Sequence, residues 1–136
     1  MDASVTWDRG WNFTGTADSG FRLTLGEPDE DGIGEKAIGP MELLLIGLAG
    51  CTGIDVISIL EKKRQAVSGF QIQVHAERAS EHPRAFTDVA IKYLVQGENI
   101  DPAVVERAIE LSLTKYCSAT ATLTMGVPIH SAYQIS

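Results

Sequence analysis

The stretch from Met41 to about Arg64 constrains the fold more than any other part of this 136-residue chain. It contains no proline, and it is uncharged from Leu43 to Ile54. Its apolar residues are too numerous for one helical face, and a helix that is hydrophobic nearly all round is normally buried. The chain is therefore expected to be organised around one long apolar helix.

We predict a core helix in this stretch, and no membrane partner. A membrane-spanning helix needs about 20 mostly apolar residues, whereas Glu42, Asp55 and Glu61 close this run early. Pro40 is suited to the first helical position, and Gly69 marks the expected exit. A sheet formed by one short chain covers only one side of such a helix, so a homodimer is the simplest way to cover the other.

Composition narrows the class of protein. The formal net charge of −7 argues against a nucleic-acid partner, because phosphates attract Lys and Arg. The N-terminus, MDASVTW, lacks the basic and apolar regions of a signal peptide. Two cysteines are too few for a disulfide scaffold, so we expect a cytoplasmic protein with reduced thiols. The length suits a single domain, residues 1–136.

Residue patterning predicts an α+β fold in the order βββ–α–ββ–α–β, with an antiparallel sheet. Three short runs rich in Thr and aromatic residues predict the first strands: SVTWD, WNFTG and GFRLTL. The acidic segment EPDEDGIGEKAIGP that follows predicts a long loop.

The second half of the chain alternates in the way that half-buried strands do. Residues 70–77 alternate between apolar and polar types. A second run places four apolar residues on one face: Val89, Ile91, Tyr93 and Val95. Asp101 and Pro102 predict the N-cap and first position of a second helix that runs to about Tyr116. The final strand is predicted over VPIHSAYQI.

Cys51, in GLAGCTG, and Cys117, in KYCSATA, are the candidate reactive residues. Each is either a small buried hydrophobe or a reactive thiol. Asp55 lies one helical turn from Cys51, and a nearby carboxylate raises the pKa of a thiol. Either a cation pairs with Asp55, or Cys51 is not a strong nucleophile. If the fold brings the two thiols together, one could be oxidised by a peroxide and the other could condense with the sulfenic acid.

The histidines do not predict a metal site. His75, His82 and His130 show no HxxxH spacing, and the cysteines form no CxxC motif. No metal and no bound cofactor are therefore expected.

The segments GPMELLLIGLAGCTGIDVISILEKKR and KYCSATAT resemble the OsmC/Ohr family, named for osmotic induction and organic hydroperoxide resistance. PMELLL and GCTGIDV resemble its YhfA-like branch. The resemblance implies an OsmC-like fold, with antiparallel sheets around a long buried central helix in an intertwined homodimer. It also implies a thiol-dependent peroxidase with two active sites at the dimer interface. It assigns Cys51 as the peroxidatic residue and Cys117 as the resolving one, and it implies an external dithiol reductant of the lipoyl type.

Two positions depart from the family pattern. The family places a Glu ten residues before the first cysteine, where this chain has Met41, and an Arg in the N-terminal region. Glu42 lies one step away, and its competing interpretation is a first-turn residue that interacts with the helix dipole. Arg22 in GFRLTL is the best candidate for the Arg, and Arg9 is the second.

Two functions remain open at this point. The first is a cysteine peroxidase that reduces organic hydroperoxides in oxidative-stress defence, and it predicts two sulfurs within bonding reach and a cation beside Cys51. The second is a non-catalytic dimer on the same fold that binds a small apolar ligand or senses redox state. It predicts that Glu42 is turned away and that no Arg lies near Cys51.

Overall fold

A computed structural model of the chain describes residues 1–27 and 37–136. The α+β class and the predicted order of the main strands and helices are confirmed. Most of the predicted acidic loop falls on residues 28–36, which lie outside the described residues. Tertiary contacts divide the chain into two compact units, Met1–Leu44 and Leu45–Ser136.

The first unit contains a three-stranded antiparallel sheet. Strand β1 spans Ala3–Arg9, β2 spans Asn12–Ala17 and β3 spans Arg22–Gly26, and they lie in the order β1-β2-β3. A single bridge pairs Leu25 of β3 with Ile38, so the chain passes along the sheet edge before the first turn of the long helix.

The second unit contains the other three-stranded sheet, formed by β4 (Ala66–Arg78), β5 (Phe86–Glu98) and β6 (Ile129–Ile135). Strands β4 and β5 are antiparallel, but β5 and β6 are parallel. The prediction of an entirely antiparallel sheet is therefore wrong for the last pair. Parallel neighbours need a crossover connection, and the helical segment between β5 and β6 supplies it.

The alternation predicted for the central strand is confirmed. Four residues of β5 are at most 1% exposed: Val89, Ile91, Tyr93 and Val95. They lie on one face because successive strand residues point to opposite faces. Strand β4 already begins at Ala66, so Gly69 lies within the strand and does not mark the helix exit. The pairing register shifts between Val67 and Gly69, as at a β-bulge.

Helix α1 spans Pro40–Lys62 and begins at the predicted proline. Its start has one of the two bonds of a capping box: Oε2 of Glu42 accepts the backbone N–H of Gly39 at 2.9 Å, and Gly39 has no side chain to form the reciprocal bond. Beyond its end, Arg64 adopts a left-handed backbone conformation with φ of 54° and turns the chain towards β4.

This chain alone buries α1 along one stripe. Four residues spaced four apart are inaccessible to solvent: Leu48, Thr52, Val56 and Leu60. Thr52 of this stripe contacts Tyr93 of β5. Beside the stripe, a Cβ atom on Gly53 would lie 2.8 Å from Cδ1 of Ile72 in β4. Ile46 and Ile54 are 54% and 71% exposed. By length and composition alone α1 could also cross a membrane, and 22% of its most apolar window is buried in this chain. The predicted burial is therefore found along one stripe only.

Helix α2 spans Pro102–Leu111 and starts at the predicted cap. Oδ1 of Asp101 accepts the backbone N–H of Ala103 at 2.9 Å. Such a bond satisfies one of the amides that a helix N-terminus leaves unpaired. The local signal at Asp101 and Pro102 was therefore sufficient to locate this helix.

The predicted continuation of α2 to Tyr116 is a π turn, Ser112–Tyr116. The backbone N–H of Cys117 donates to the carbonyl oxygen of Ser112 at 2.8 Å and closes this turn. A short helix that the sequence analysis missed, α3 (Ser118–Leu123), follows directly. The π turn therefore delivers Cys117 to the start of a new helix.

Candidate active site

The two cysteines are brought together within the second unit. Cys51 lies on α1 and is partly exposed, whereas Cys117 lies between the π turn and α3 and is 3% exposed. Both are free thiols, and each of the two thiols shifts the pKa of the other. The fold therefore places the two thiols in the same neighbourhood, and their roles as attacking and resolving residues stay predictions.

The sulfur of Cys51 faces the first residues of α3. The backbone N–H of Ala119 donates to this sulfur, and the Ser118 hydroxyl lies 3.8 Å from it. Cys117 is the N-cap of the same helix, and its sulfur accepts the backbone N–H of Thr120 at 3.4 Å. The first turn of a helix presents amides without intrahelical partners. Both sulfurs are therefore placed where backbone donors favour negative charge.

The pKa values of the two thiols shift in opposite directions. Burial raises the pKa of Cys51, but hydrogen bonds from the Ala119 amide, the Cys117 thiol and the Ser118 hydroxyl outweigh it, and the pKa is lowered. Burial and the neighbouring Cys51 raise the pKa of Cys117, and the hydrogen bond from the backbone N–H of Thr120 only partly offsets this. The thiolate is the nucleophilic form. Cys51 is therefore the thiol suited to attack, and Cys117 is the one that keeps its proton.

Asp55 acts on Cys51 as the sequence predicted, because its carboxylate raises the pKa of the thiol. The side chain of Ser112 holds this carboxylate, with Oγ donating to Oδ2 at 2.9 Å. Neither of the two alternatives left by the sequence is needed to explain the site. A hydroxyl binds Asp55, and hydrogen-bond donors lower the pKa of Cys51 despite it.

Two further hydroxyls connect Ser112 to the core. Oγ1 of Thr52 lies 2.8 Å from Oγ of Ser112 and 2.7 Å from the hydroxyl oxygen of Tyr93. Burial raises the pKa of Tyr93 to about 12. Sequence reasoning placed Tyr93 on the inner face of β5 but missed its role in the site. The available signal was Thr52, a hydroxyl residue directly after Cys51 in an apolar helix.

The other two predicted site residues, Glu42 and Arg22, belong to the first unit. Glu42 accepts the backbone N–H of Gly39, which supports its competing interpretation as a first-turn capping residue. Arg22 is the first residue of β3, is exposed, and pairs with Thr16 across the sheet. The catalytic roles of Glu42 and Arg22 stay predictions.

Each of the two histidines on the second sheet lies beside an acidic side chain. Nε2 of His75 lies 2.8 Å from Oε1 of Glu77, and Nε2 of His130 lies 2.8 Å from Oδ1 of Asp88. Among residues 1–27 and 37–136, no group of three or more His, Cys, Asp or Glu side chains is arranged to hold a metal ion.

A groove of about 460 Å³ runs along α1 beside the site. Asp55 lies in its wall, and most of its surface is apolar. Helix α1 and the residue after it contribute most of the lining: Ile54, Asp55, Ser58, Ile59, Lys62 and Lys63. Leu111 of α2 and Tyr116 of the π turn complete it.

Sequence comparison identifies the family of this chain. Residues 33–132 match the family model described as OsmC-like protein. The chain belongs to the OsmC family. It is 38% identical over 135 residues to Protein YhfA of Escherichia coli K12, an alignment that covers 99% of this chain and 98% of that protein. The predicted membership of the YhfA-like branch of the OsmC/Ohr family is therefore confirmed.

Solved structures agree with the predicted OsmC-like fold. A hypothetical protein from Aquifex aeolicus is 30% identical with a TM-score of 0.88, and the alignment covers 99% of this chain and 95% of that one. An organic hydroperoxide resistance protein OsmC from Legionella pneumophila is 16% identical with a TM-score of 0.72, covering 98% and 95%. At that lower identity the likeness shows a shared fold alone.

The buried phenol of Tyr93 should make stability fall at high pH. Because its pKa is raised from 10.0 to about 12, the folded state keeps a proton that the unfolded chain releases. Between about pH 10 and pH 12 the free energy of unfolding should therefore decrease as pH rises, by up to about 2–3 kcal/mol. Urea unfolding across this range should show a steeper decrease in the wild type and in Tyr116→Phe than in Tyr93→Phe, where Tyr133, whose pKa is also raised, still contributes. Equal pH slopes in all three proteins would contradict the assignment.

The hydrogen bond from Ser118 should also be measurable at Cys51. Ser118→Ala removes a donor, so the pKa of Cys51 should rise, whereas Asp55→Asn removes a repelling charge and should lower it. The pH dependence of iodoacetamide alkylation, read by mass spectrometry of the Cys51 peptide, reports both shifts. Thr122→Ala, in the same short helix, is the matched control and should leave the profile unchanged. Shifts of the same sign in Ser118→Ala and Asp55→Asn would refute this account.

Proposed function

We propose that this protein is a thiol-dependent peroxidase that reduces organic hydroperoxides in oxidative-stress defence. The observation that carries the proposal is the contact between Cys51, whose pKa is lowered, and the buried thiol of Cys117. Membership of the OsmC family supports it. So does the name of the Legionella relative of the same fold, an organic hydroperoxide resistance protein.

In the first step the Cys51 thiolate attacks one oxygen of the peroxide bond. The S–O bond forms as the O–O bond breaks, and the departing alkoxide takes a proton from solvent and leaves as an alcohol. Cys51 becomes a sulfenic acid. The donors at the start of α3 favour the ionised form of Cys51 before attack, which is the form that reacts.

In the second step Cys117 resolves the sulfenic acid. Its sulfur attacks the sulfur of Cys51, and the S–O bond breaks. The hydroxyl group leaves with the thiol proton of Cys117 as water, and the disulfide remains. An external dithiol, of the lipoyl type, then reduces this disulfide by two thiol–disulfide exchanges. The cycle converts a hydroperoxide and a dithiol into an alcohol, water and the oxidised dithiol, and it requires no metal or bound cofactor.

We also propose that the protein works as an intertwined homodimer in the cytoplasm. Support for the dimer comes from α1, whose apolar residues Ile46 and Ile54 are 54% and 71% exposed in one chain. Covering such surface is favourable by about 25 cal/mol per Å². The cytoplasm is proposed because two cysteines are too few for a disulfide scaffold and because a cycle of this kind needs a reducing environment.

The alternative is a non-catalytic dimer that binds a small apolar ligand or senses redox state. Two observations favour it. The groove beside Asp55 is mostly apolar, and the carboxylate of Glu42 already has a partner in the backbone N–H of Gly39. In this alternative the groove is the binding site, and the thiols report oxidation without turnover.

Mass spectrometry of the reduced protein, before and after one equivalent of cumene hydroperoxide, tests the proposal. The wild type should rapidly lose two hydrogens, with a disulfide that joins Cys51 to Cys117. Cys117→Ser should instead accumulate a sulfenic acid at Cys51 that dimedone traps, and Cys51→Ser should form neither product. Oxidation no faster than that of an ordinary exposed thiol would rule out the peroxidase and leave the apolar-ligand alternative.

The role of Glu42 can be separated from its capping bond. Glu42→Gln keeps an acceptor for the backbone N–H of Gly39, because both Glu and Gln serve in a capping box, but it removes the charge. If Glu42 takes part in catalysis, the rate of disulfide formation with cumene hydroperoxide should fall markedly, while the urea midpoint should fall only slightly through the lost interaction with the helix dipole. Arg22→Ala, measured in the same way, tests the predicted Arg. An unchanged rate in either variant would remove that residue from the site.

A further inference from the structure

We infer that Thr52 and Ser112 are positioning residues that set the approach of the Cys51 and Cys117 sulfurs. They act through a directed series of hydrogen bonds that is buried from Tyr93 to Ser112 and ends at the part-buried Asp55 carboxylate. The catalytic meaning of this inference rests on the proposed peroxidase. The geometry itself concerns only how the fold holds two thiols, and it can be tested without a peroxide.

The carboxylate fixes the direction of every bond in the chain. A carboxylate only accepts, so Ser112 spends its one hydroxyl hydrogen on Asp55, at 2.9 Å. Thr52 must then donate to Ser112 across the 2.8 Å contact. Its own hydrogen is thereby used, so the Tyr93 hydroxyl must donate to Thr52 across 2.7 Å. The order of donation is Tyr93 to Thr52 to Ser112 to Asp55.

The three hydroxyl residues in this series of hydrogen bonds are inaccessible to solvent, since Thr52, Tyr93 and Ser112 are each 0% exposed. Water therefore does not replace a partner that is lost. Removing the hydroxyl of Thr52 or Ser112 leaves a neighbouring group without its partner, and a buried unpaired polar group is costly. We therefore expect the hydrogen-bonded residues to behave as one unit. Loss of the hydroxyl of Thr52 or Ser112 should shift the neighbouring side chains.

Ser112 connects the segments that carry the two sulfurs. Its carbonyl oxygen accepts the backbone N–H of Cys117 at 2.8 Å and closes the π turn. Its side chain binds Thr52, next to Cys51, and Asp55, one turn further along α1. One residue thus holds the backbone of the second cysteine on one side and the helical turn of the first on the other. A π turn is a rare local geometry that is often found at functional sites.

A purely structural role for the same bonds makes a different prediction. Bonds that only stabilise the core support the dithiol and disulfide forms alike, and their loss leaves the equilibrium between those forms unchanged. Bonds that position the sulfurs set the effective concentration of one thiol at the other. A small misplacement lowers that concentration and with it the tendency to form the disulfide.

The test is the equilibrium between the dithiol and disulfide forms in buffers of reduced and oxidised dithiothreitol. Alkylation under acid quench and mass spectrometry give the fraction that contains the Cys51–Cys117 disulfide. Thr52→Val and Ser112→Ala should lower the equilibrium constant for disulfide formation by about tenfold or more. Thr52→Ser keeps the hydroxyl and should remain near the wild type. Thr114→Val, which loses a hydroxyl that donates to the Glu110 carbonyl in the same turn, is the matched control.

Urea unfolding of the same variants separates the two roles. Unchanged equilibrium constants in Thr52→Val and Ser112→Ala, together with reduced unfolding free energies, would overturn the positioning role. The pair Thr52→Val and Thr52→Ser decides the question even if Ser112→Ala does not fold. A wild type that ignores cumene hydroperoxide but shows this pattern in dithiothreitol would refute the peroxidase and keep the inference. A wild type that reacts rapidly with the peroxide, together with variants whose disulfide equilibrium is unchanged, would support the peroxidase and refute the inference.

Discussion

The hydrogen bond from Ser112 to Asp55 is the contact on which the rest of the site depends. An ionised carboxylate cannot donate, so this one bond sets the direction of the bonds through Thr52 to Tyr93. It also attaches the turn before Cys117 to the helix that carries Cys51. The carboxylate of Asp55 therefore has two effects. Its charge disfavours a thiolate at Cys51, and its hydrogen bond with Ser112 helps to hold Cys117 close to Cys51.

The site balances opposing influences on Cys51. Burial and the Asp55 carboxylate raise the pKa of the thiol, and donors from the start of α3 lower it by a larger amount. A thiol that attacks an oxygen must be ionised, but its nucleophilicity falls as its pKa falls. Donors and a carboxylate that act together hold the pKa below its usual value while limiting the decrease. Cys117 lies beside it with a raised pKa and keeps its proton, which is the proton that the proposed resolving step sends out with water.

Local signals explain which parts of the fold the sequence predicted. Caps, proline positions and alternation depend on neighbours within a few residues, so Pro40, Asp101 and the inner face of β5 were located correctly. The parallel pairing of β6 was missed, because strand direction depends on how the intervening helices cross the sheet. Gly69 was misread for a similar reason: a glycine at a β-bulge and a glycine at a helix exit carry the same local signal.

Residue types and their spacing were enough to identify the family, the order of the main strands and helices, and the two thiols. What surrounds those thiols depends on the tertiary structure. The π turn, the short helix α3 and the buried chain from Tyr93 to Asp55 join residues far apart in the sequence. Whether Asp55 has a partner, and which donors lower the pKa of Cys51, depend on these long-range contacts, which no local pattern of residues encodes.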